Sequence, residues 1–212
     1  MLFRSEVQVT DERGKIGINS ADEPTLIQLF SANGVEANEA IYLAAAILDW
    51  VDPDEMERPN GAEAETYYSM GLAVGPGNRN FIMIEELLQV PGISYDLFTR
   101  IEPGLTVFTK SGNPDPAYAP LEALLALPDM TEEDALNFIE ERHSQDAASG
   151  VGAVLPNGQV AMARGRGLTY SVLAKATLPN GVWDQIEATI RLGRSSEGLP
   201  FRVVRWREGF HH

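Results

Sequence analysis

The chain has 212 residues, of which 44% are hydrophobic and 22% are charged, so it carries enough apolar material to form a folded core. Its 31 acidic and 16 basic residues give a net charge of −15, which disfavours binding to nucleic acid or to anionic lipid. It contains no cysteine, so outside the cytoplasm its stability would depend on packing without disulfides. The apolar stretch 41–48 is far shorter than the ~20 residues that span a bilayer.

The charge is divided unevenly along the chain. Residues 1–150 hold 27 acids and 8 bases, whereas residues 151–212 hold 4 acids and 8 bases. The sequence pattern changes at the same point, from helix-like periodicity to alternating strands. We interpret this change as an acidic helical part followed by a β part. The alternative is a single α+β domain with an uneven surface.

The N-terminal region predicts strands and then helices. Residues 6–10 alternate as in a strand, and residues 15–18 resume that pattern after a turn. Ser20 and Glu23 have the spacing of a capping box, which predicts the start of a helix. A second helix is expected over residues 36–50, and it should be buried because its residues are mostly Ala, Ile and Leu.

The middle of the chain contains three helix–turn–helix segments and one short strand. Residues 19–46 form the first segment, residues 86–93 a partial copy and residues 120–144 the last, while residues 105–109 are typical of a strand. The segments resemble helix-hairpin-helix units, in which loop glycines let backbone N–H groups approach a phosphate. Residues 127–130 read Leu-Pro-Asp-Met and put an acid where that loop needs glycine. A packing module is therefore favoured over a nucleic-acid-binding one.

The C-terminal part predicts an antiparallel meander of at least three strands. Residues 170–178 place their apolar side chains on one face, and residues 182–192 place theirs on another. Asn180-Gly181 lies between the two segments and is a strong short-range signal for a hairpin. Residues 201–207 form the third expected strand.

Side chains typical of enzymes are scarce. Of the three histidines, His143 lies on the exposed side of a predicted helix, and His211 and His212 end the chain like the remnant of a purification tag. The sequence has neither a nucleophile elbow nor a phosphate-binding loop ending in Gly-Lys-Ser/Thr. A hydrolase using paired carboxylates such as Glu63 and Glu65 has only an acidic cluster in its favour. We therefore expect a protein that is not an enzyme.

The segment 49–65 has the strongest chemical pattern, with seven carboxylates and one base in 17 residues. Such a cluster repels itself unless a cation or an arginine neutralises it, and oxygen ligands without Cys or His indicate Ca²⁺ before Zn²⁺. Asp52, Asp54 and Glu63 fall at offsets 1, 3 and 12 of an EF-hand loop, but Glu57 stands where that loop needs glycine, so an EF-hand is rejected. An irregular calcium-binding loop and a solvated acidic loop remain as alternatives.

Several blocks of the sequence keep a common order over nearly the whole chain. They are residues 11–21 (DERGKIGINSA), 46–54 (AILDWVDPD), 59–63 (PNGAE), 67–68 (YY), 78–93, which begin with Asn78-x-Asn80, and 203–208 (VVRWRE). In this arrangement the chain resembles the minor pseudopilin K family of the type II secretion system, the general secretion pathway protein K family. It departs from the family at Ala64, where an acid usually stands, and in a second Asn-rich block reduced to residues 111–115.

The resemblance implies a pilin-like α+β fold, in which an antiparallel sheet is interrupted by a large inserted α-helical domain. We expect residues 1–18 to form the first strands of the pilin-like domain and residues 149–212 to form its C-terminal strands. Residues 19–148 would form the inserted acidic domain, which contains the helix-hairpin-helix-like units.

The resemblance also implies a role and a location. It implies a structural subunit at the tip of the type II secretion pseudopilus, in a complex with minor pseudopilins I and J and taking part in protein export across the outer membrane. Secreted substrates are a further class of partner, and nucleic acid is not expected. The location would be periplasmic, with an inner-membrane anchor supplied by an N-terminal helix that the sequence lacks.

Members of the family bind calcium in the helical insertion, which favours the metal interpretation of Asp52, Asp54 and Glu63. The further candidate ligands are Glu55, Glu65 and Asp49. The alternative function is a helix-hairpin-helix nucleic-acid-binding protein, which the negative charge and the missing loop glycines oppose.

Overall fold

The computed structural model describes residues 4–144, 152–163, 165, 167–193 and 198–209. The chain divides into two compact units, one formed by Met1–Arg13 with Arg164–His212 and the other by Gly14–Ala163. In the described ranges the strands are β1 (Arg4–Asp11), β2 (Ile16–Gly17), β3 (Leu105–Thr106), β4 (Ala153–Val154), β5 (Val160–Ala161), β6 (Thr169–Thr177), β7 (Trp183–Leu192) and β8 (Phe201–Glu208). The α-helices are α1 (Glu23–Ala32), α2 (Ala37–Val51), α3 (Ala64–Ser69), α4 (Tyr95–Ile101), α5 (Leu121–Leu124) and α6 (Glu132–Ser144). Short 3-10 helices lie at Glu12–Gly14, Ile84–Gln89 and Glu102–Gly104.

The first unit is built around a four-stranded antiparallel sheet in the order β1-β6-β7-β8. The predicted hairpin and third strand are confirmed. Leu178 N donates to Val182 O at 2.7 Å, and Gly181 N donates to Leu178 O at 2.9 Å, which closes a tight loop between β6 and β7. The N-terminal strand β1 completes the sheet by pairing with β6 along its whole length.

The apolar side chains of the predicted hairpin lie on one common face of this sheet, not on two. Val9 is paired with Val172, Val172 with Ala188, and Ala188 with Trp206. Residues directly opposite each other in a sheet project to the same side. One face therefore carries a row of apolar residues from one edge strand to the other.

The second unit is mostly helical and has its own core. The predicted burial of α2 is confirmed, since Leu43, Ala44 and Ala46 are fully buried. The small alanines let neighbouring chain segments approach α2 closely. The helix–turn–helix segments correspond to α1 with α2, the 3-10 helix Ile84–Gln89 with α4, and α5 with α6.

The start of α1 differs from the capping-box prediction. The N-cap is Asp22, whose carboxylate accepts a hydrogen bond from Thr25 N at 3.0 Å. Ser20 instead lies in the preceding turn, where its backbone N–H donates to Gly17 O at 2.9 Å. The prediction of Ser20 as the cap was therefore wrong. Asp22 lies three residues before Thr25, whose backbone N–H it accepts, and Pro24 is tolerated in the first turn of a helix.

The segment 15–18 also differs from its prediction. β2 pairs in parallel with β3, and Gly17 N donates to Ser111 O at 2.9 Å, so this strand belongs to the second unit. Ile16 and Ile18 are buried there. The first unit thus takes only the N-terminal strand up to Arg13, whereas residues 1–18 were expected. On the C-terminal side it begins at Arg164 and not at residue 149, because β4 and β5 pair with each other and Ala153 and Leu155 are buried in the core of the second unit. The expected strand 105–109 is limited to Leu105–Thr106. The chain turns after Thr106, since Phe108 N donates to Thr106 Oγ1 at 3.0 Å.

In the part of the chain that the structure describes, none of the helices combines the length and apolarity that crossing a membrane requires.

Candidate metal centre

The acidic segment forms a loop that folds back between α2 and α3. After α2 ends at Val51, the chain reverses at a turn in which Gly61 N donates to Arg58 O at 2.8 Å. Asn60 in this turn has a positive φ of 63°, which asparagine tolerates better than most residues. The reversal brings Glu63, at the start of α3, back beside the last turn of α2.

Asp49 organises this loop from a fully buried position at the end of α2. Its Oδ2 accepts a hydrogen bond from Ala62 N at 2.9 Å, and both of its oxygens accept from Arg58 N at 3.3–3.4 Å. Burial raises the pKa of Asp49, although these backbone hydrogen bonds oppose that shift. A Cβ atom on residue 61 would collide with Asp49 Oδ2, so the turn requires Gly61.

Arg58 is the one base of the segment, and it neutralises only part of the cluster. Its Nε lies 3.2 Å from Asp49 Oδ1, and its Nη2 lies 2.8 Å from Asp52 Oδ2. The guanidinium is almost half exposed, so solvent weakens both ion pairs. Most of the negative charge of segment 49–65 therefore has no cationic partner from within it.

Glu63 is the group least compensated by its surroundings. It is only 4% exposed, and within the described ranges neither of its carboxylate oxygens has a hydrogen-bond partner. Burial, and after it the charges of Asp49, Glu55, Asp52 and Asp54, raises the pKa of Glu63 to about 7. Glu63 is also the N-cap of α3, yet its side chain makes no capping hydrogen bond. A buried acid among acids fits a position that a cation neutralises.

The other predicted ligands are held in different ways. Asp54 is exposed and its Oδ1 accepts from Met56 N at 2.8 Å, while Glu55 Oε1 accepts from Asn78 Nδ2 at 2.8 Å. Glu65 is exposed and is not one of the acids that raise the pKa of Glu63. The structure thus brings five of the six predicted residues into one electrostatic cluster and leaves Glu65 at its margin.

The cluster does not have the closed geometry of a loaded metal site. Across the described residues, no three side chains of the His, Cys, Asp or Glu type are placed so that they could hold a metal ion. Carboxylates repel one another when no cation lies between them, so some separation of these groups is expected on electrostatic grounds. The donor set is nevertheless all oxygen, as a hard cation such as Ca²⁺ requires.

Sequence reasoning missed two residues of this region. Asn78 has a positive φ of 46°, donates to Glu55, and has a buried Oδ1 without a hydrogen-bond partner in the described structure. Glu57 Oε2 accepts from Glu63 N at 3.2 Å and from Thr66 Oγ1. Asn78 lies far from the loop in sequence, and the only available signal was its place in the Asn78-x-Asn80 block.

The arrangement offers little for acid–base catalysis. Glu65 is exposed and is not among the charges that act on Glu63, so the two carboxylates do not form a coupled pair. His143 is exposed on the last turn of α6. The chemistry that these residues support best is the binding of a hard cation.

Comparison with known proteins gives the family. Residues 8–110 match the family model described as type II secretion system, protein K. Type II secretion system protein K of Pectobacterium carotovorum subsp. carotovorum is 29% identical over 163 residues, which are 67% of this chain and 50% of that protein. The protein of the same name from Klebsiella pneumoniae is 36% identical over 70 residues, which are 33% of this chain and 22% of that protein. The chain thus spans half or less of the length of these relatives.

A solved structure has the same fold. A chain in the crystal structure of the GspK-GspI-GspJ complex from the type 2 secretion system of enterotoxigenic Escherichia coli matches with a TM-score of 0.66. The match covers 99% of this chain and 81% of that chain at 15% sequence identity, so it is a likeness of fold. The shared fold is a mixed one with an antiparallel sheet. From the family match and the relatives, we conclude that the region 8–110, about half of the chain, belongs to the type II secretion system protein K family.

Proposed function

We propose that the chain is a structural, non-enzymatic subunit at the tip of the type II secretion pseudopilus. In this role it lies in the periplasm, binds minor pseudopilins I and J, and takes part in protein export. The observation that carries the proposal is the family match over residues 8–110. The solved structure in which a chain shares the fold of this protein is a complex that contains GspI and GspJ, which supports the choice of partners.

The four-stranded sheet supplies a surface for such an assembly. Val9 is 60% exposed and Trp206 is 55% exposed, although both lie in the apolar row that crosses the sheet. Contiguous exposed apolar surface usually marks an interface. An α-helix can bury its apolar stripe against such a sheet face. We infer that the partner pseudopilins contribute helices that cover this row.

Size-exclusion chromatography of the chain with the purified periplasmic domains of pseudopilins I and J tests the proposal. We expect the three proteins to elute together. Separate elution at micromolar concentration would contradict the proposed assembly. A salt-dependent shift of DNA in a gel, with no binding to the pseudopilins, would support the alternative of a helix-hairpin-helix nucleic-acid-binding protein.

We further propose that the acidic loop binds Ca²⁺. The ligands closest to this role are Glu63 and Asp52, since both have buried carboxylate oxygens without hydrogen-bond partners in the described ranges. Further oxygen ligands would come from Asp54 and Glu55, and Asp49 holds the loop in place through its backbone hydrogen bonds. Of the six predicted residues, Glu65 has the least support, because it is exposed.

The physical reason for the ion is the repulsion that it removes. Each close pair of carboxylates costs roughly 1–4 kcal/mol, depending on the effective dielectric. A divalent cation offsets this cost in the folded state, so its binding stabilises the fold. The Asn60-Gly61 turn makes the chain reversal inexpensive, and the loop therefore needs little further ordering to close around an ion.

Thermal unfolding with EDTA and with calcium tests this second proposal. Calcium at a hundredfold over its dissociation constant should add about 2.7 kcal/mol to the free energy of unfolding. We expect Asp52→Ala and Glu63→Ala to remove most of that gain. Glu36→Ala, which removes the N-cap of α2, should lower stability equally in both buffers. A wild-type melting temperature that is the same in EDTA and in millimolar calcium would reduce the loop to a solvated acidic segment.

A further inference from the structure

A second exposed apolar surface lies on the helical unit, beside the acidic loop. Its side chains belong to α3, to the turn that follows α3 and to the acidic loop, and their exposed fractions range from 41% to 78%. We call this surface the methionine patch, and its members are Met56, Tyr68, Met70, Leu72 and Val74. Four of the five fall within seven consecutive residues, which is an unusual density of exposed apolar side chains for a loop.

The backbone that carries the patch is tightly hydrogen-bonded. Leu72 N donates to Tyr67 O at 3.1 Å, and Gly71 N donates to Tyr68 O at 3.0 Å. Gly71 has a φ of +79°, so the end of α3 forms a complete Schellman motif. In such motifs the residue after the glycine usually packs on the helix, but Leu72 remains 41% exposed. The motif therefore presents apolar side chains to solvent.

The chain beyond this motif is also anchored. Arg79 N donates to Trp50 O at 3.2 Å. Gly77 lies so close to the Trp50 ring that a Cβ atom would come within 2.9 Å of Cε2. Asn78 is bonded to Glu55. Because both ends of the segment are held, the patch is pre-organised, and preformed surfaces lose less entropy when they bind.

Three acidic side chains lie on or against the segments that carry the methionine patch. Glu57 is bonded to Thr66 of α3, Glu55 is bonded to Asn78, and Glu65 is exposed on α3 itself. The two arginines of the region are engaged elsewhere. Arg58 pairs with Asp49 and Asp52, and Arg79 pairs with Glu86 at 2.6 Å. The surface is thus apolar at its centre and negative at its rim.

We propose that the methionine patch is a docking site for a basic amphipathic helix of a protein partner. Methionine side chains adapt to varied apolar shapes, and a helix with apolar residues at i, i+3, i+4 and i+7 presents a matching stripe. Lysine and arginine flanking that stripe would face the acidic rim, which speeds association and excludes acidic partners. The patch belongs to the helical unit, and its proposed role does not depend on the pseudopilin contacts proposed above.

The charge of the unit argues against other occupants. Residues 14–163 contain 24 acids and only 6 bases. A second copy would bring the same negative rim to the interface, and anionic lipid headgroups would be repelled in the same way. A basic helix is the occupant whose charge complements both the patch and its surroundings.

The test uses a fluorescent synthetic helix of leucine and lysine with the above spacing, and a control helix with glutamate in place of lysine. We expect fluorescence anisotropy to show binding of the lysine helix alone. The double variant Met70→Ser with Leu72→Ser should weaken binding by about tenfold or more. The matched control is Tyr95→Ser with Leu136→Ser, which removes two exposed apolar side chains elsewhere on this unit and should not change the affinity. Unchanged melting temperatures would show that both double variants fold.

A charge variant gives an independent measurement. Glu65→Gln should weaken binding and reduce its salt dependence, whereas Glu132→Gln at the start of α6 should do neither. The proposal is overturned if the lysine helix does not bind, or if the glutamate helix or the Met70 and Leu72 double variant binds equally well. Preferential binding to phosphatidylglycerol vesicles, or dimerisation that the double variant abolishes, would assign the patch to another occupant.

Discussion

At Glu63, burial and like charge act in the same direction. Both disfavour the ionised carboxylate, which is why the pKa of this residue is raised to about 7. In the described ranges its carboxylate oxygens have no hydrogen-bond partner, so nothing there compensates for the loss of solvent. A side chain of this kind weakens the fold when it is charged, unless a cation is bound.

The substitution Glu63→Gln should therefore have opposite effects in two buffers. In EDTA at pH 8 the variant should be more stable than the wild type, because the amide removes one charge and can donate to Asp49 or Asp52. In calcium it should be less stable, because a ligand is lost. Urea unfolding measures both differences, and Glu39→Gln on α2 serves as the exposed control. A loss of stability of equal size in both buffers would show that Glu63 has only a packing role.

Glu86 shows the reverse electrostatic situation. Its Oε1 accepts from Arg79 Nη2 at 2.6 Å, and its Oε2 accepts from Ile82 N at 2.6 Å. The hydrogen bond from Arg79 is the largest of the effects that hold the pKa of Glu86 below its ordinary value. Such a lowered pKa means that the ionised group stabilises the fold above about pH 4.5, and that this stabilisation is lost as the pH falls through the lowered pKa.

Glu86→Gln should lower the free energy of unfolding at pH 7 by about 1–2 kcal/mol, since the exposed Arg79 limits the gain from the ion pair. The difference from the wild type should shrink at pH 3, where the wild-type carboxyl is protonated. Urea unfolding at the two pH values measures it. If the variant and the wild type differed in free energy of unfolding by the same amount at both pH values, the shape of the side chain and not its charge would be the cause.

Part of the acidic cluster could be predicted from the sequence. The density of acids in segment 49–65 pointed to Asp52, Asp54 and Glu63, which the structure places in one electrostatic cluster, and their binding of a cation stays a prediction. The buried position of Asp49 and the contact between Asn78 and Glu55 could not be predicted in this way. Both depend on how the loop folds against distant residues, which no local pattern encodes.

At the scale of helices and strands, the start of α1 is a competition between two capping signals. Ser20 and Asp22 each lie three residues before a suitable partner, and the structure selects Asp22. The hydrogen bond from Thr25 is the main cause of the lowered pKa of Asp22, which is consistent with an ionised cap.

Asp22→Ala should lower the free energy of unfolding by about 1 kcal/mol, because it leaves the N–H groups of the first turn without this acceptor. Ser20→Ala is the matched control and should change stability by less than about 0.5 kcal/mol. Chemical denaturation of the two variants side by side measures the difference. A larger loss for Ser20→Ala would restore the capping-box prediction.

Local patterns predicted the elements that are long or that end in a distinctive turn. The hairpin around Asn180-Gly181 and the apolar helix α2 belong to this group. The pairing of Ile16–Gly17 with Leu105–Thr106 could not be predicted, because each strand has two residues and the partners are far apart in sequence. Alternation in residues 15–18 is compatible with either sheet, and burial of Ile16 and Ile18 decides between them.

At the scale of the whole molecule, charge separates the two units. Met1–Arg13 and Arg164–His212 together hold 7 acids and 10 bases, whereas Gly14–Ala163 holds 24 acids and 6 bases. The apolar row of the sheet therefore lies in the less charged unit. Binding through that row should depend on buried apolar surface, with only a weak dependence on salt.

The most direct test of the central claim is complex formation with pseudopilins I and J at low and at moderate salt. We predict that the wild type forms the three-protein complex in both conditions, as measured by sedimentation velocity. The double variant Val9→Ser with Trp206→Ser should fail to form it, whereas Tyr95→Ser on the helical unit should form it normally. Docking through the apolar row would be contradicted if the wild type formed no complex, or if moderate salt dissolved the complex while the Val9 and Trp206 substitutions left it intact.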